Sequence, residues 1–367
     1  MDVTLARWED AGTRYALVGD GETATLQTNP DPDPPNDSDT LQDAAELHVS
    51  GPIRMGCGPL ELRLATVGGR IAAASVTAGF AHRGVLELLR GKPPRDAARI
   101  AARIAGEATV AHATAFARAA EAASGTPAPP RAEVWRDFLG GLERLCGDLA
   151  ALGAIADLAG PPALRTRLAR FAERAAQVMA EATGSRLGID VVVPGGLALT
   201  PKISVDGLIR LAADLESPEW PSQFAALHRA LAGRAPVAAA LAHRQGADGV
   251  IAGGGDAAHR AERLVIRCAA EARDLARGVA ALAADDTGPL DVALPAATGD
   301  ALGRARGPHG TVWHWQRLDA GLIEAAFVAD PATRHLALLA AALAGQPVDD
   351  AALMLASLPL SVAGADL

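Results

Sequence analysis

The stretch "RIAGEATVAH", which begins at Arg103, holds the side chains best suited to chemistry in this chain. Arg103 supplies a permanent positive charge, Glu107 a carboxylate that relays protons if burial raises its pKa, and His112 an imidazole for acid–base work. Arg95 and Arg99 precede Arg103 at four-residue intervals. The spacing predicts one helix with these arginines on a single face, which either borders a cavity or faces solvent or a partner.

Each of these residues also has a structural interpretation. His112 lies about two and a half turns beyond Arg103 on the same predicted helix, where a core histidine bonded to a backbone carbonyl is the simpler explanation. Glu107 is either a proton-relaying carboxylate or an ordinary surface or salt-bridged glutamate. Asp366, in the closing segment "SVAGADL", is a further carboxylate. The candidate catalytic residues are therefore Arg103, Glu107, His112 and Asp366.

Composition limits the classes of function. Half of the 367 residues are apolar, which is enough for a large core without disulfides. The net charge of -9 and the lack of basic, aromatic-rich runs in the sequence disfavour nucleic acid as a partner. The three cysteines form no CxxC pair, which favours a reducing compartment. Since neither a signal peptide nor an apolar segment of ~18 residues is visible, we expect membrane contact only through partners.

The chain divides into three predicted parts. Residues 1–28 show short alternating stretches typical of a β-segment, with a hairpin turn at residues 19–21. An acidic, proline-rich linker follows over residues 29–45. The principal domain, residues 46–367, opens with a β-hairpin or meander around Gly68-Gly69. His82 and Arg83 follow it, and we interpret them as positioning the β-element against the helices.

A helical period dominates after residue 80. The predicted helices span residues 96–123, 132–160, 163–184, 221–233 and 256–282. One broad apolar face of the second contains Trp135, Phe138, Leu142, Leu145, Leu149, Leu152 and Ile155. An extended segment is predicted over 185–198, and alternation returns over 307–329, with a turn at 319–321, before a short helix. His309 and His314 fall on opposite faces of that strand, which argues against a metal pair.

Six stretches in sequence order resemble the large subunit of [NiFe] hydrogenases, particularly the membrane-bound energy-converting group, and its cousin, the quinone-site subunit of the NADH-quinone oxidoreductase known as respiratory complex I. They are "GPIRMGCGPLELRL", "HRG", "GKPPRDAARIAARIAG", "TGSRLGIDVVVPGG", "GPHGTVWHW" and "LAGQPVDDAALMLASLPLSVAGADL". The resemblance covers residues 46–367. It implies an α+β fold like that of the hydrogenase large subunit, with a central helix bundle, an N-terminal β-hairpin or meander and a small C-terminal β-element.

The resemblance also implies a metal pocket that has lost its ligands. In active hydrogenases the first motif resembles R-x-C-G-x-C-x-x-x-H, and the second resembles D-P-C-x-x-C. The matching positions here are Ala105 and Ala108 in the first, and Ser361 and Gly364 in the second. Alanine and glycine side chains offer no lone pair, and a serine hydroxyl is a poor substitute for a thiolate. We therefore predict no metal site and no nickel–iron cofactor in this chain.

The quinone-binding cousin also lacks these cysteines, so their loss does not by itself imply a loss of function. Its histidine in the opening hairpin and its tyrosine after the R-x-D element match Arg54 and Gly106 here. Arginine can hydrogen-bond a quinone carbonyl, but glycine supplies no phenolic proton. The predicted remnant of the cofactor pocket comprises Arg54, Ala105, Gly106, Ala108, Ser361 and Gly364.

The resemblance implies a subunit without nickel in a membrane-associated oxidoreductase assembly like complex I or the energy-converting hydrogenases. The expected partners are an iron–sulfur small subunit, which carries the cluster, and antiporter-like membrane subunits, at the cytoplasmic face of the inner membrane. The chain would line a quinone or electron-transfer cavity, or only hold the assembly together. One alternative is a catalytically silent maturation scaffold for the [NiFe] cofactor. Another is an oxidoreductase that uses the four candidate catalytic residues in place of thiolates.

Overall fold

The computed structural model describes residues 3–19, 23–30, 46–55, 58–203, 205–217, 219, 222, 224–247, 249–284, 287–358 and 360–367. The helices are α1 (Val85–Leu89), α2 (Pro94–Ala101), α3 (Thr109–Ser124), α4 (Pro130–Ala159), α5 (Pro162–Thr183), α6 (Val205–Glu216), α7 (Ala225–Leu231), α8 (Ala239–Arg244), α9 (Ala257–Ala284), α10 (Pro331–Leu343) and α11 (Ala351–Ser357). The strands are β1 (Val3–Asp10), β2 (Thr13–Gly19), β3 (Ala24–Thr28), β4 (Glu46–Met55), β5 (Gly58–Val67), β6 (Arg70–Thr77), β7 (Val192–Val193), β8 (Gly196–Leu197), β9 (Gly299–Arg306), β10 (Thr311–Asp319) and β11 (Leu322–Ala329).

The bundle is built around α4, which packs against α5 and α9, while α9 also packs against α6. Every residue of the predicted apolar face of α4, from Trp135 to Ile155, is buried. These side chains are buried because an apolar stripe at helical spacing stabilises the folded state by about 25 cal/mol for each Å² of apolar surface removed from water. The α+β plan with a central helix bundle is confirmed.

The prediction of a single helix over residues 96–123 is wrong. α2 ends at Ala101, Ala105 is extended with φ -134° and ψ 120°, and a 3₁₀ turn over Gly106–Ala108 precedes α3. The cause lies in remote side chains. The Arg83 guanidinium donates to the Arg103 carbonyl at 3.1 Å and the Ile104 carbonyl at 2.9 Å, so these carbonyls do not continue the helix.

The start of α3 has a remote cap of its own. Both carboxylate oxygens of Glu143, on α4, accept hydrogen bonds from the first turn of α3, at 2.6 Å from the Val110 nitrogen and 3.0 Å from the Ala111 nitrogen. These N–H groups have no partner within the helix, so the carboxylate fixes where α3 begins. His112 therefore belongs to a different helix from Arg103, contrary to the prediction.

The β-elements form separate antiparallel sheets. The predicted meander is β4–β5–β6, with positive φ at the Gly68-Gly69 turn. The segment predicted over 185–198 contributes the short pair β7–β8. The predicted C-terminal β-element is β10–β11, which turn at residues 319–321, and β9, which the sequence did not reveal, adds a third strand along β10.

The N-terminal segment forms a sheet of three strands in the order β1–β2–β3. β2 pairs with β3, and residues 20 and 21 of the turn predicted between them lie outside the described part of the chain, as do residues 31–45 of the predicted linker. The sheet packs on the C-terminal sheet. Trp8 stacks on Phe327 with ring centroids 4.2 Å apart, and Tyr15 lies 5.2 Å from Trp315. The division of the chain at residues 28 and 45 stays a prediction.

Candidate functional site

The two segments that match the metal motifs lie side by side. The Ser361 hydroxyl donates a hydrogen bond to Glu107 Oε1, which joins the second motif to the first. Ala105, Ala108 and Ala363 pack in one buried apolar cluster. Two regions about 250 residues apart in the chain are thus held in direct contact.

Arg83 ties the same two segments together. One nitrogen of its guanidinium, Nη2, donates to the Ile104 carbonyl at 2.9 Å and to the Ala363 carbonyl at 2.7 Å. Its Nε donates to the Asp366 carbonyl at 3.1 Å. The predicted positioning role therefore fits Arg83, which is itself exposed, as is the neighbouring His82.

The buried carboxylate of Asp366 accepts a hydrogen bond from the backbone. Its Oδ1 accepts from the Ala81 nitrogen at 3.2 Å, and its side chain is sequestered from solvent. The contact links the C-terminus to the segment between β6 and α1. This geometry gives Asp366 a structural task in the described part of the chain.

The position of Gly364 is closed by a carboxylate. A Cβ atom built on Gly364 would overlap Asp330 Cβ and Cγ and would lie 2.6 Å from Asp330 Oδ1. Asp330 caps α10, where its Oδ1 accepts from the Ala332 nitrogen at 2.7 Å, so the aspartate cannot move aside freely. A cysteine at position 364 does not fit this structure.

A buried line of polar side chains lies behind this carboxylate. His112 Nε2 lies 3.0 Å from Asp330 Oδ2, and His112 Nδ1 lies 3.1 Å from His314 Nε2. All three side chains are almost fully buried. Asp330 accepts from His112, and the two imidazoles share the second hydrogen bond, whose donor depends on their tautomers. The predicted core histidine is buried, but its partners are an imidazole and a carboxylate in place of the expected backbone carbonyl.

Electrostatics favours neutral His314 and ionised Asp330. Burial, together with the charge of His112, lowers the pKa of His314 well below its ordinary value. For Asp330, burial alone would raise the pKa, but the hydrogen bond and charge of His112 and the Ala332 N–H hold it below the usual value.

Glu107 stands at the outer side of this region. Besides the Ser361 hydroxyl, its Oε1 lies 3.9 Å from His309 Nε2. His309 lies before β10 and contributes to the charge environment of Asp330. Glu107 is therefore neither an isolated surface glutamate nor part of a helix with Arg103.

Arg103 forms part of an ion-paired surface. Its side chain is 47% exposed and makes two hydrogen bonds with Asp190, at 2.6 and 2.8 Å. Arg95 pairs with Asp291 in the same bidentate way, at 2.9 and 2.8 Å. These arginines hold the loops before β7 and after α9 against α2. Of the alternatives that the spacing left open, the structure places Arg103 at the surface.

The two positions matched to quinone contacts are Arg54 and Gly106. Arg54 belongs to β4, but its side chain lies outside the described residues. Gly106 is exposed, and a Cβ atom there would meet nothing within 4 Å. The face at Gly106 is thus open, in contrast to the closed interior at Gly364.

Four residues hold the region together: Arg83, Glu143, His314 and Asp330. No role here was predicted from the sequence for Glu143 or Asp330. Burial raises the pKa of Glu143 to about 8, although the Val110 and Ala111 N–H groups oppose the shift. The sequence feature that could have indicated Glu143 is its position beside the apolar face of a long helix. An acidic residue at such a position is seldom buried without a partner.

A family model described as nickel-dependent hydrogenase matches residues 83–147. These residues include Arg83, the first metal motif and Glu143. The match thus covers the first of the two motif segments that the structure brings together. The chain is hydrogenase-large-subunit-like, and the predicted resemblance is confirmed.

Relatives agree with this conclusion. The membrane-bound hydrogenase subunit alpha of Pyrococcus furiosus is 32% identical over 150 residues, which span 40% of this chain and 35% of that protein. The match thus covers only about a third of the relative's length. A chain of the membrane-bound sulfane sulfur reductase, an archaeal respiratory membrane complex, superposes with a TM-score of 0.77 at 18% identity, over 89% of this chain and 100% of that one. This second likeness concerns the fold.

A nickel–iron centre does not fit this hydrogenase-large-subunit-like pocket. Ala105 and Ala108 carry no donor atom, and the Ser361 hydroxyl is engaged by Glu107. At Gly364 the Asp330 carboxylate fills the space of a side chain. Such a centre needs soft thiolate donors, so the residues at these positions cannot hold it.

Among the described helices, none is long and apolar enough to cross a bilayer.

Proposed function

We propose that this chain is a large-subunit-like subunit, without nickel, of a membrane-associated oxidoreductase assembly. The observation that carries the proposal is the closed pocket. Its two motif segments remain joined through Arg83 and the Ser361–Glu107 hydrogen bond, while Asp330 occupies the ligand position at Gly364. A network that preserves the pocket's shape without its donors fits a role in assembly better than a role in hydrogen chemistry.

The kind of assembly is proposed from the relatives. One is a subunit of a membrane-bound hydrogenase, and the other belongs to a respiratory membrane complex. We propose an iron–sulfur small subunit and antiporter-like membrane subunits as partners, at the cytoplasmic face of the inner membrane. The iron–sulfur cluster then belongs to the partner.

The open face around Gly106 is the proposed contact with the iron–sulfur subunit. Gly106 adjoins Ala105, Glu107 and Ala108, so a partner seated there would cover the outer side of the motif region. Any quinone or electron-transfer cavity would be completed between the two chains at this face. Because Gly106 provides no phenol, such a cavity would take its proton donor from elsewhere, and Glu107 is the nearest carboxyl group in the motif.

The maturation scaffold receives less support. A scaffold that holds an iron fragment needs accessible thiolates, yet burial raises the pKa of Cys146 to about 12 and that of Cys268 well above its ordinary value. Cys57 lies outside the described residues. Neither described cysteine occupies a motif position.

Affinity purification of the tagged chain from detergent-solubilised membranes tests the proposal. We expect an iron–sulfur protein and polytopic membrane subunits in stoichiometric amounts. Gly106→Trp should release the iron–sulfur subunit, whereas Gly278→Trp, at another glycine with open space around it, should not. Recovery of the chain alone, or with a hydrogenase precursor, would contradict the proposal.

A further inference from the structure

We propose that a cleft between α3, α4 and β9 binds a small multivalent oxyanion of the phosphate or polycarboxylate class. Five arginines line it, and we call it the arginine cleft: Arg118, Arg136, Arg144, Arg304 and Arg306. Its volume is about 290 Å³. This inference does not depend on the proposed function, because the cleft lies within one chain.

Two of the arginines form the edge of the cleft and are already compensated. β9 is an edge strand, and Arg118 donates to the Arg304 carbonyl at 3.0 Å while Arg144 donates to the Arg306 carbonyl at 3.2 Å. Arg118 also pairs with Glu133 at 2.5 Å, and Arg144 pairs with Glu271 at 2.7 Å. These contacts fix both guanidinium groups beside the strand.

Arg136 is buried and pairs with Glu121 and Glu133, so it is compensated too. The remaining two arginines carry uncompensated charge. Arg304 and Arg306 are alternate residues of β9, so both side chains leave the same side of the strand, and both are exposed. In the described part of the chain, no carboxylate pairs with either one. The Arg304 guanidinium lies 5.7 Å from the centre of the Trp313 ring, which restricts its movement. The chain as a whole carries a charge of -9, so this excess of positive charge is local.

The wall of the cleft offers a second indication of a ligand. Thr114 lines the cleft and is 4% exposed, yet its hydroxyl makes no hydrogen bond with the described residues. Gly140 keeps the cleft open, because a Cβ atom there would lie 3.3 Å from Arg144 Nη1. Asp137 is the one acidic residue among those that line the cleft, and its side chain is 77% exposed and 3.3 Å from Arg118.

The charge and size of the site define the ligand class. A planar guanidinium binds phosphate or carboxylate oxygens in pairs, and two uncompensated guanidinium groups call for at least two negative charges. The volume admits a small molecule and not a folded domain. Inorganic phosphate and citrate are therefore suitable probes of the two ligand chemistries.

Isothermal titration of the full chain with inorganic phosphate, and separately with citrate, tests the inference at constant ionic strength set with chloride. We expect one binding site, weakened at least tenfold in the double variant Arg304→Gln/Arg306→Gln. The double variant Arg210→Gln/Arg229→Gln removes the same charge from two exposed arginines elsewhere and should bind as the wild type does. Thr114→Val should weaken binding as well.

The probe that binds more tightly identifies the ligand chemistry, phosphoryl or carboxylate. Thermal unfolding of each variant shows that it is folded before its affinity is compared. If neither anion binds at millimolar concentration, or if the Arg304→Gln/Arg306→Gln variant binds as tightly as the wild type, the inference is wrong.

Discussion

At Gly364, the absence of a side chain leaves room for the carboxylate of Asp330. This carboxylate is held from two sides, by the Ala332 N–H and by His112. The site is therefore not an empty pocket that a thiolate could re-enter. A side chain introduced at Gly364 would disturb the cap of α10 and the contact of Asp330 with His112 at the same time.

The substitution Gly364→Ala tests this packing. The added methyl group would overlap Asp330, whose cap and histidine contacts resist movement, so the free energy of unfolding should fall by about 1–3 kcal/mol. Gly106→Ala is the matched control in the first motif, where the methyl group meets nothing within 4 Å. Chemical denaturation of both variants measures the difference, and equal stabilities would refute the packing argument.

At the scale of elements, the break between α2 and α3 determines the shape of the site. Arg83 satisfies two carbonyls just after α2, and Glu143 satisfies N–H groups at the start of α3. Both groups come from other parts of the chain. The motif residues thus sit on a turn that tertiary contacts impose on a sequence with high helix propensity.

Glu143 makes the stability of this element depend on pH. Its pKa is raised to about 8 in the folded protein from an ordinary value of 4.5, so the folded state keeps a proton that the unfolded state releases. The resulting stabilisation is complete below pH 4.5 and is lost as the pH rises through 8. The free energy of unfolding should therefore decline over this range.

The variant Glu143→Gln should lack this decline, because an amide does not titrate. Glu262→Gln, at an exposed site on α9, should retain the wild-type dependence. Urea denaturation from about pH 7 to about pH 9 provides the measurement, because burial raises the pKa of Asp148 to about 6 and that group also titrates at lower pH. A parallel decline in the Glu143→Gln variant would show that another group is responsible.

The sequence was informative where structure depends on neighbours in the chain. The apolar face of α4 and the β4–β6 meander follow from periodicity and turn residues, and both were predicted. The break before α3 was missed, because Arg83 and Glu143 act on it from a distance. Asp330 was missed for the same reason: no local pattern shows that it lies under Gly364.

At the scale of the whole molecule, the C-terminal sheet is covered on both sides. α3 packs on one side through the His112–His314 contact, and the N-terminal sheet packs on the other through Trp8, Tyr15 and Trp315. Arg317 reinforces the second contact with hydrogen bonds to the Tyr15 hydroxyl at 2.7 Å and to Asp10 at 2.8 Å. The N-terminal sheet is therefore packed on the C-terminal sheet.

Trp8→Ala should lower the stability of the whole chain. The substitution removes the stacking on Phe327 and Tyr15 at centroid distances of 4.2 and 5.3 Å, at a cost of about 2–3 kcal/mol. Ile266→Ala, at a side chain that is 60% exposed, should change stability by less than about 0.5 kcal/mol. Calorimetry should show one transition at a lower temperature, whereas an unchanged main transition would mean that the N-terminal sheet unfolds independently.

The metal content of the affinity-purified assembly tests the central claim most directly. Elemental analysis should find iron in proportion to the iron–sulfur partner and no stoichiometric nickel, because positions 105, 108, 361 and 364 offer no thiolate. One nickel atom per copy of this chain would contradict the account.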